Sequence, residues 1–236
     1  MKTSVIIPTY NERENITPLV EEVLRNCPES EIIVVDDDSP DKTWQAVEEI
    51  SKKDNRVVLV RRIGERGLTS AIQEGIKRSS KDTVVWMDSD FSMPPSAIPS
   101  MIGQLENSDI VVGSRYVKGG KDARGSFIRV LFSRALNVFG KLLLGTKVKD
   151  LTSGFVAAKR SVFDTISLSG NYGEYFIKFI YEAEKKGYST KEVPYANVPR
   201  FKGETKTDPD IFRFFSLGWG YLAMILKLRF SKVKDS

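Results

Sequence analysis

The sequence predicts an α/β protein whose mostly parallel central sheet is covered by helices on both faces. In the first half of the chain, short runs rich in valine and isoleucine alternate with segments whose apolar residues recur at helical spacing. The apolar runs have the length of buried strands, and this strict alternation is typical of doubly wound sheets. In such sheets ligands bind at the carboxyl ends of the strands, so the loops that follow the strands are the places to look for chemistry.

Five strands and four helices are expected in the first 115 residues. The strands are Ser4–Ile7, Ile32–Val35, Val57–Val60, Val84–Met87 and Ile110–Val112. The helices between them contain Leu19–Leu24, Trp44–Ile50, Ala71–Ile76 and Ile98–Leu105. Each helical segment lies between two of these strands.

The alternation stops after about residue 115. A flexible basic loop is expected at 118–121, followed by helices at Ile128–Leu144, Phe176–Glu184 and Ile211–Phe230, and by strands at Phe155–Ala158 and Glu192–Val198. No internal repeat and no long linker interrupts the chain, so we expect one domain over residues 1–236.

Composition excludes several kinds of catalysis. The chain contains no histidine, which excludes Ser/His/Asp and Cys/His mechanisms and histidine-ligated zinc. A metal would have to bind oxygen ligands, which favours magnesium, manganese or calcium. The single cysteine, Cys27, excludes an internal disulfide and fits a reducing compartment, and no signal peptide is recognised at the start.

The charge is uneven as well as positive. The formal net charge is +5, and lysines and arginines gather in the second half. This bias favours an anionic partner, either a phosphorylated substrate or an anionic membrane surface, although a solvated basic surface has the same composition. No recognition element for nucleic acid is present, so we expect no nucleic-acid partner.

The strongest motif is Asp88-Ser89-Asp90, directly after the fourth predicted strand. In extended geometry, residues two apart point to the same side, so the two carboxylates could hold one divalent cation against a diphosphate. A second acidic cluster, Asp36-Asp37-Asp38, follows the second strand, and the segment Ile7–Glu12 ends the first strand. Three adjacent carboxylates repel one another, which favours a ligand-binding role for at least one of them, with turn formation and helix capping as the alternative. The aromatic ring and carboxylate of the first segment could form a nucleobase pocket.

Motifs along nearly the whole chain, about residues 3–225, resemble those of known enzymes. The segments Ser4–Glu12, Val34–Asp41, Gly67–Ala71, Asp88–Pro95 and Gly113–Tyr116 occur in the order seen in inverting GT-A-fold glycosyltransferases. Three further segments are more specific and are similar to those of the dolichol-phosphate (polyprenyl-phosphate) mannosyltransferases: Arg115–Gly120, Asp150–Phe155 and Val198–Lys206.

The resemblance implies a role for individual residues. The nucleoside would be held by Pro8, Tyr10, Glu12, Val35 and Asp37. Ribose, diphosphate and metal would meet Asp88, Ser89 and Asp90. Phosphate groups would be bound by Arg115, Arg200 and Lys206. The acceptor phosphate would be bound by Arg115, Arg129 and Ser133, and the i, i+4 spacing of the last two places them on one helical face. Asp90 and Arg115 would serve catalysis directly, and Asp150 would orient a substrate.

One metal ligand departs from the family pattern. Ser92 stands where many relatives carry a glutamine ligand. The expected metal set is therefore Asp88, Asp90 and Ser92, with the Ser92 hydroxyl binding the cation or positioning a water.

The resemblance implies a metal-dependent inverting glycosyltransferase that uses Mg²⁺ or Mn²⁺. It would move mannose from GDP-mannose to dolichyl phosphate, giving dolichyl β-D-mannosyl phosphate. Residues 1–115 would form the nucleotide-sugar half and residues 116–210 the acceptor half. Two alternatives remain: transfer of glucose or another sugar from a UDP-sugar, and a non-catalytic nucleotide-sugar-binding subunit.

The last segment, 211–236, predicts how the chain reaches a membrane lipid. Phe214–Leu226 contains 13 uncharged residues, fewer than the roughly 20 needed to cross a bilayer. Basic residues follow at Lys227, Arg229, Lys232 and Lys234, where they could meet anionic headgroups. We expect a helix lying on the cytoplasmic face of a membrane, with a small membrane subunit as a further candidate partner; the alternative is that this helix packs on the catalytic core. Many relatives carry transmembrane helices after the catalytic domain, and the expectation here is the compact branch without them.

Overall fold

The computed structural model describes residues 2–123, 127–170, 173–203 and 211–230, with the backbone alone described at 127, 129 and 211–217. The strands are β1 Thr3–Thr9, β2 Glu31–Asp36, β3 Val57–Arg61, β4 Thr83–Trp86, β5 Ile110–Ser114, β6 Lys121–Asp122, β7 Val156–Lys159, β8 Thr190–Pro194 and β9 Ala196–Asn197. The helices are α1 Arg13–Asn26, α2 Thr43–Ser51, α3 Leu68–Arg78, α4 Ile98–Gln104, α5 Phe127–Leu144, α6 Glu174–Lys185 and α7 Ile211–Phe230, with 3₁₀ turns at Pro95–Ala97 and Arg160–Asp164.

Seven strands form one sheet in the order β3-β2-β1-β4-β7-β5-β8. All neighbours are parallel except β7, which runs antiparallel to both β4 and β5. The predicted α/β class with a mostly parallel sheet is therefore confirmed. Because β1, β2 and β4 are parallel neighbours, their carboxyl ends meet at one edge, which brings the loops after residues 9, 36 and 86 together.

The sheet is buried on both faces, which explains the continuous apolar runs of its strands. In β1, Ile6 packs into the hydrophobic cluster on one face, while Val5 and Ile7 pack into the cluster on the other. Helix α3 lies close against the first of these faces, because a Cβ added at Gly75 would stand 2.4 Å from Ile6 Cγ2. A glycine at this position therefore lets the helix approach the sheet.

The second half differs in two details from the predicted elements. The segment expected as a basic loop ends in β6, a two-residue strand that pairs in parallel with β9. The single strand expected over Glu192–Val198 is divided into β8 and β9 at Tyr195, whose buried ring packs edge-on against Phe155 at 5.5 Å. Before Tyr195, β8 belongs to the seven-stranded sheet; after it, β9 pairs with β6 in the two-stranded sheet.

Helix α7 packs against both α5 and α6. Its residue Ile225 is fully buried and belongs to the hydrophobic cluster on the face of the sheet that α3 also covers. The alternative to a surface helix, packing on the core, is thus present at Ile225, and whether the helix also lies on a membrane stays a prediction. None of the helices in the described ranges has the length and apolarity that a bilayer crossing requires.

Candidate active site

The carboxyl ends of β1, β2 and β4 form one polar edge of the sheet. The loops after β1 and β2 are joined directly, since the Asp37 amide donates to the Thr9 carbonyl oxygen at 3.1 Å. Pro8 and Val35 are buried neighbours in register on β1 and β2, immediately before these loops. Two of the residues predicted to hold a nucleoside are therefore adjacent in the sheet.

The Asp88-Ser89-Asp90 segment leaves β4 at the same edge. Asp88 is exposed and Asp90 is partly exposed. The Asp90 Oδ1 atom accepts a hydrogen bond from the Ser92 amide at 3.0 Å. Phe91, between them, has a positive φ of 65°, so the chain turns sharply after the second aspartate. The result is a tight turn at the end of β4 with two accessible carboxylates.

These two carboxylates fit a divalent cation whose remaining ligands come from water and a diphosphate. The described residues contain no group of three or more acidic or cysteine side chains that could hold a metal alone. Two aspartates supply hard oxygen ligands, and magnesium commonly takes its remaining ligands from water and substrate phosphates. Ser92 is buried and its amide donates to Asp90, so the predicted third ligand lies beside that aspartate.

Arg200 joins two predicted parts of the site. Its guanidinium forms a close ion pair with the buried Glu12 carboxylate, and its Nη1 lies 3.6 Å from Asp90 Oδ2. Glu12 also accepts a hydrogen bond from Asn15 Nδ2 at 2.8 Å. A predicted nucleoside residue, a predicted metal ligand and a predicted phosphate-binding arginine are therefore in one cluster.

The segment 198–203 is held against the β4 turn. The Val198 amide donates to the Ser92 carbonyl oxygen at 3.2 Å, and the Phe201 amide donates to the Asp90 carbonyl oxygen at 3.0 Å. The rings of Phe91 and Phe201 lie 5.3 Å apart. These contacts hold Arg200 beside Asp90.

Tyr10 has a cationic neighbour that sequence analysis did not single out. The Arg66 guanidinium carbon lies 3.8 Å from the centre of the Tyr10 ring, close enough for a cation–π contact. Arg66 immediately precedes the segment Gly67–Ala71, which was recognised as a motif without a role for its flanking residue. The predicted nucleobase pocket therefore includes an arginine as well as the tyrosine.

The carboxylates of the acidic cluster after β2 are bound by other groups of the protein. Asp36 accepts hydrogen bonds from Thr9 Oγ1 at 2.8 Å and from the Ser39 amide at 2.9 Å. Asp38 accepts one from Arg61 Nε at 2.7 Å. Each carboxylate accepts hydrogen bonds from its own donors, and these bonds offset the repulsion between the adjacent negative charges.

Asp37 forms the buried ion pair of this cluster. It pairs with the buried Arg62, whose Nε donates to Oδ1 at 2.7 Å, while the Gly67 amide donates to Oδ2 at 2.8 Å. Arg62 Nη1 also donates to Ser70 Oγ at 2.9 Å. The carboxylate predicted to hold the nucleoside thus anchors the segment that carries Arg66, and its direct contact with a nucleoside stays a prediction.

Arg115 and Asp150 form a second buried ion pair. Arg115 is 3% exposed and donates to Asp150 through Nε at 2.8 Å, Nη2 at 2.7 Å and its backbone amide at 2.9 Å. Burial alone lowers the pKa of Arg115, but the Asp150 carboxylate outweighs that effect and holds the pKa above its ordinary value. The guanidinium is therefore a permanent cation whose orientation is set by Asp150.

Ser133, on α5, lies in a group of hydroxyls next to this ion pair. The Tyr116 hydroxyl donates to Ser133 Oγ at 2.8 Å, and Ser133 Oγ lies 3.4 Å from Thr152 Oγ1. Thr152 Oγ1 in turn accepts from Arg115 Nη2 at 2.8 Å and from Asn137 Nδ2 at 2.9 Å. Two predicted acceptor-phosphate residues, Arg115 and Ser133, are thereby connected through one hydroxyl.

The contacts of Tyr116 and Thr152 in this group are not among the predicted ones. Both residues lie inside segments that carry the family resemblance, Arg115–Gly120 and Asp150–Phe155, and that position is the signal that could have pointed to them. The guanidinium of the exposed Arg134 lies 5.7 Å from the Tyr116 ring centre, so a further cation stands at the group. Two predicted side chains, Arg129 and Lys206, lie outside what the structure describes.

The chain is similar to known proteins over most of its length. The model of the family described as glycosyl transferase family 2 matches residues 4–167. A dolichol-phosphate mannosyltransferase of Pyrococcus furiosus is 42% identical over 87% of this chain, and the chain spans 59% of that relative's length. A polyprenol monophosphomannose synthase of Mycolicibacterium smegmatis is 36% identical over 87% of this chain and 80% of its own. An undecaprenyl-phosphate mannosyltransferase of Micrococcus luteus is 33% identical, with 87% of both chains covered.

Among solved structures, the glucosyl-3-phosphoglycerate synthase of Mycobacterium tuberculosis has a similar fold. In its complex with Mn²⁺, UDP and glucosyl-3-phosphoglycerate, the TM-score is 0.74 at 19% identity, covering 99% of this chain and 81% of that one. A second structure of that protein, with phosphoglyceric acid, gives a TM-score of 0.75. At this identity the likeness establishes a shared fold.

Proposed function

The chain belongs to glycosyl transferase family 2, and we propose that it transfers mannose from GDP-mannose to dolichyl or another polyprenyl phosphate. The observation that carries this proposal is the set of three relatives, each 33–42% identical over 87% of the chain. Their names differ in the lipid but agree in mannosyl transfer to a polyprenyl-type acceptor. Mannosyl transfer to a polyprenyl-type acceptor is what the three names share, and we extend it to this chain.

The donor would bind at the carboxyl edge of β1, β2 and β4. The cluster of Glu12, Asp90 and Arg200 supports this placement, because it combines a carboxylate for a nucleoside with a cation for phosphates. Arg66 over Tyr10 adds an aromatic and a cationic group that could stack on a base. Mg²⁺ or Mn²⁺ held by Asp88 and Asp90, with Ser92 beside them, would neutralise charge on the departing diphosphate.

The acceptor phosphate would bind beside Arg115 and Ser133. Arg115 supplies a fixed positive charge, and the hydroxyls of Ser133, Tyr116 and Thr152 supply polar groups around it. We assign Asp150 to orienting Arg115, because the oxygens of this fully buried carboxylate already accept three hydrogen bonds from it. Asp150 is then a positioning residue.

The reaction would be a single displacement at the anomeric carbon. A phosphate oxygen of the acceptor forms the new bond while the bond to the nucleoside diphosphate breaks, and the leaving group keeps the electron pair. The configuration inverts, giving a β-linked product from an α-linked donor. A phosphate monoester is already an anion at neutral pH, so no general base is needed, which fits a chain without histidine. The protein contributes alignment of the two substrates and stabilisation of the leaving diphosphate.

A two-donor assay tests the proposal. Purified protein is incubated with Mn²⁺ and a short-chain polyprenyl phosphate, and with either radiolabelled GDP-mannose or radiolabelled UDP-glucose; transfer is measured as label extracted into organic solvent. Label from GDP-mannose, absent in the Asp90→Asn variant, is expected. Transfer from UDP-glucose and none from GDP-mannose would show that the donor is a UDP-sugar. Thermal stabilisation by a sugar nucleotide, with no transfer from either donor, would identify a non-catalytic binding subunit.

We also propose that the protein acts peripherally on the cytoplasmic face of a membrane. The acceptor class requires contact with a bilayer, and the basic, apolar helix α7 is suited to lying at its surface. If transfer to a bilayer-embedded acceptor needs an added membrane fraction while transfer in solution does not, a small membrane subunit is required as well.

A further inference from the structure

Strand β3 forms an open edge of the seven-stranded sheet. Among the described strands it stands at one end of the order, beside β2 alone. Residues 57–60 of this strand are all apolar, and Val58 is 40% exposed. Ile63, two residues beyond the strand, is 73% exposed. An apolar edge strand presents unpaired backbone groups to other chains, and most proteins protect such an edge.

The pairing of β3 with β2 fixes which backbone groups of β3 point outwards. The Ile32 amide donates to the Arg56 carbonyl oxygen, and the Arg62 amide donates to that of the last residue of β2, each at 2.8 Å. In a parallel ladder the residues that bond one neighbour alternate along the strand, so the even-numbered residues of β3 bond β2. The N–H and C=O groups of Leu59 and Arg61 therefore point away from the sheet. Within the described ranges, none of the other backbone hydrogen bonds reaches these groups.

The charged side chains next to this edge are bound by their own chain. Arg61 Nε donates to Asp38 Oδ1 at 2.7 Å, and its guanidinium carbon lies 3.6 Å from the centre of the Trp44 ring. Arg56 Nε donates to Asp54 Oδ1 at 2.9 Å. Because each arginine has an aspartate partner, neither carries an uncompensated charge that would repel a strand approaching the edge.

The opposite edge of the sheet is protected. Strand β8 ends in Pro194, which has no N–H to donate. The Glu192 carboxylate accepts hydrogen bonds from the Lys149 and Asp150 amides at 3.0 and 3.1 Å, so these two residues lie alongside the strand. Proline, charge and a covering segment are devices by which proteins keep sheet edges from pairing. By contrast, β3 has neither a proline nor a charge before its last residue.

We propose that two copies of the chain pair through β3, antiparallel, about a two-fold axis at Leu59. Centring the pair on Leu59 overlaps all five residues of the strand. Since the odd-numbered residues point outwards, Leu59 lies opposite Leu59 of the other copy and exchanges both hydrogen bonds of the pair with it. Each Arg61 amide then reaches the Val57 carbonyl oxygen of the other copy, and Val58 packs beside Val60. The same residues contribute on both sides, as a two-fold contact requires.

This arrangement leaves both proposed donor sites open. The two-fold axis is perpendicular to the sheet, so the carboxyl edges of the two sheets point in opposite directions. A strand of five residues gives a small contact, so we expect a reversible dimer that forms at high protein concentration. Pairing would also fix the strand that directly precedes Arg62, the partner of Asp37. This last consequence rests on the proposed function, whereas the pairing does not.

Cysteine crosslinking of the full chain tests the contact and its register. Hydrogen-bonded residues of an antiparallel pair have Cα atoms about 5.5 Å apart, within reach of a disulfide, so Leu59→Cys should crosslink under a mild oxidant. Ile63→Cys is the matched control, because in this register its two copies lie more than about 20 Å apart although the position is more exposed. The wild type is a second control, since Cys27 is buried and burial raises the pKa of its thiol to about 11.

Sedimentation equilibrium over a range of protein concentrations measures the dimer directly. Val58→Lys places one lysine from each copy beside the two-fold axis, where the like charges repel. Val58→Thr is its matched control, because threonine keeps the β-branched shape without a charge. Neither measurement uses a substrate, so failure of the proposed function would not affect the result.

We expect the average molar mass of the wild type and of Val58→Thr to rise towards twice that of the monomer. Val58→Lys should weaken the dimer at least about tenfold, and Leu59→Cys should crosslink at least about tenfold faster than Ile63→Cys. A wild type that stays monomeric throughout, or a dimer that Val58→Lys leaves intact, would overturn the proposal. Equal crosslinking of the two cysteine variants would contradict the register. If Leu59→Cys does not fold, the sedimentation result decides.

Discussion

The ion pair between Arg115 and Asp150 gives the sharpest test of the site. Asp150→Asn keeps the side-chain shape but removes the charge that three donors of Arg115 contact at 2.7–2.9 Å. Removing one partner of a buried pair costs about 3–5 kcal/mol, because the other charge stays buried without compensation. Asp122 lies 3.5 Å from Arg115 Nη1 and offsets part of this loss. We therefore expect a loss near the lower end, about 3 kcal/mol of unfolding free energy.

Urea unfolding followed by circular dichroism measures this loss. With a slope of about 3 kcal/mol per molar, the midpoint should fall by about 1 M. Asp54→Asn is the matched control, since Asp54 also receives several hydrogen bonds from one arginine, Arg56, but at the surface, and should cost less than about 1 kcal/mol. The double change of Arg115→Met with Asp150→Leu should cost less than Asp150→Asn alone.

Two results would refute this reasoning. A loss below about 1 kcal/mol in Asp150→Asn would show that the buried cation is solvated or compensated in another way. Unchanged stability combined with lost transfer activity would assign Asp150 to the substrate directly, and its role as a positioning residue would be wrong.

Three further predictions concern the metal site, the acceptor site and pH. Asp90→Asn should abolish transfer while leaving the thermal unfolding midpoint unchanged, and near-normal Mn²⁺-dependent activity would contradict the metal assignment. Tyr116→Phe should raise the KM for the acceptor about fivefold, which corresponds to the free energy of one hydrogen bond, and should leave the KM for the donor unchanged. In a Ser133→Ala background, the same change should cause no further rise in the acceptor KM. A raised donor KM would instead indicate general damage to the fold. Hydrogen bonds from Ser189 hold the pKa of Asp109 at about 2, below its ordinary 3.8, so its stabilisation is present above pH 4 and is lost as the pH falls through 2. The wild type should exceed Asp109→Asn by about 1 kcal/mol at pH 7, allowing for partial exposure, and the difference in urea midpoints should vanish towards pH 2.

The strands of the first half could be predicted because the signal is local. Parallel strands buried on both faces are continuous apolar runs, and β1, β2 and β4 extend no more than two residues beyond the predicted bounds at either end. The position of β7 could not be predicted in the same way. Its place between β4 and β5 depends on pairs such as Thr83 with Lys159, which no local pattern encodes.

The acidic cluster after β2 shows what a local interpretation omits. Its carboxylates favoured ligand binding, but their counter-ions lie on the neighbouring strand, where Arg61 is the last residue of β3 and Arg62 follows it, 23 and 25 residues after their partners Asp38 and Asp37. In register, Asp36 lies opposite Arg61. Parallel strands end at a common edge, so the rule that located Asp88 near this cluster could also have located these arginines. The hydroxyl of Thr152 had no comparable signal, because its contacts depend on the packing of α5.

The antiparallel strand β7 has a consequence for the growing chain on the ribosome. Strands β1 to β4 can pair as soon as residue 86 has emerged, since each lies beside another of that group. β5 pairs with β7 and β8, so it gains its first partner only when residues up to 159 are available. Until then β4 keeps an open backbone edge, which invites pairing with another chain. A fragment ending near residue 115 would contain the loops after β1, β2 and β4 but would be prone to aggregation and would lack Arg200, so fragments or chimaeras of this protein should retain β7.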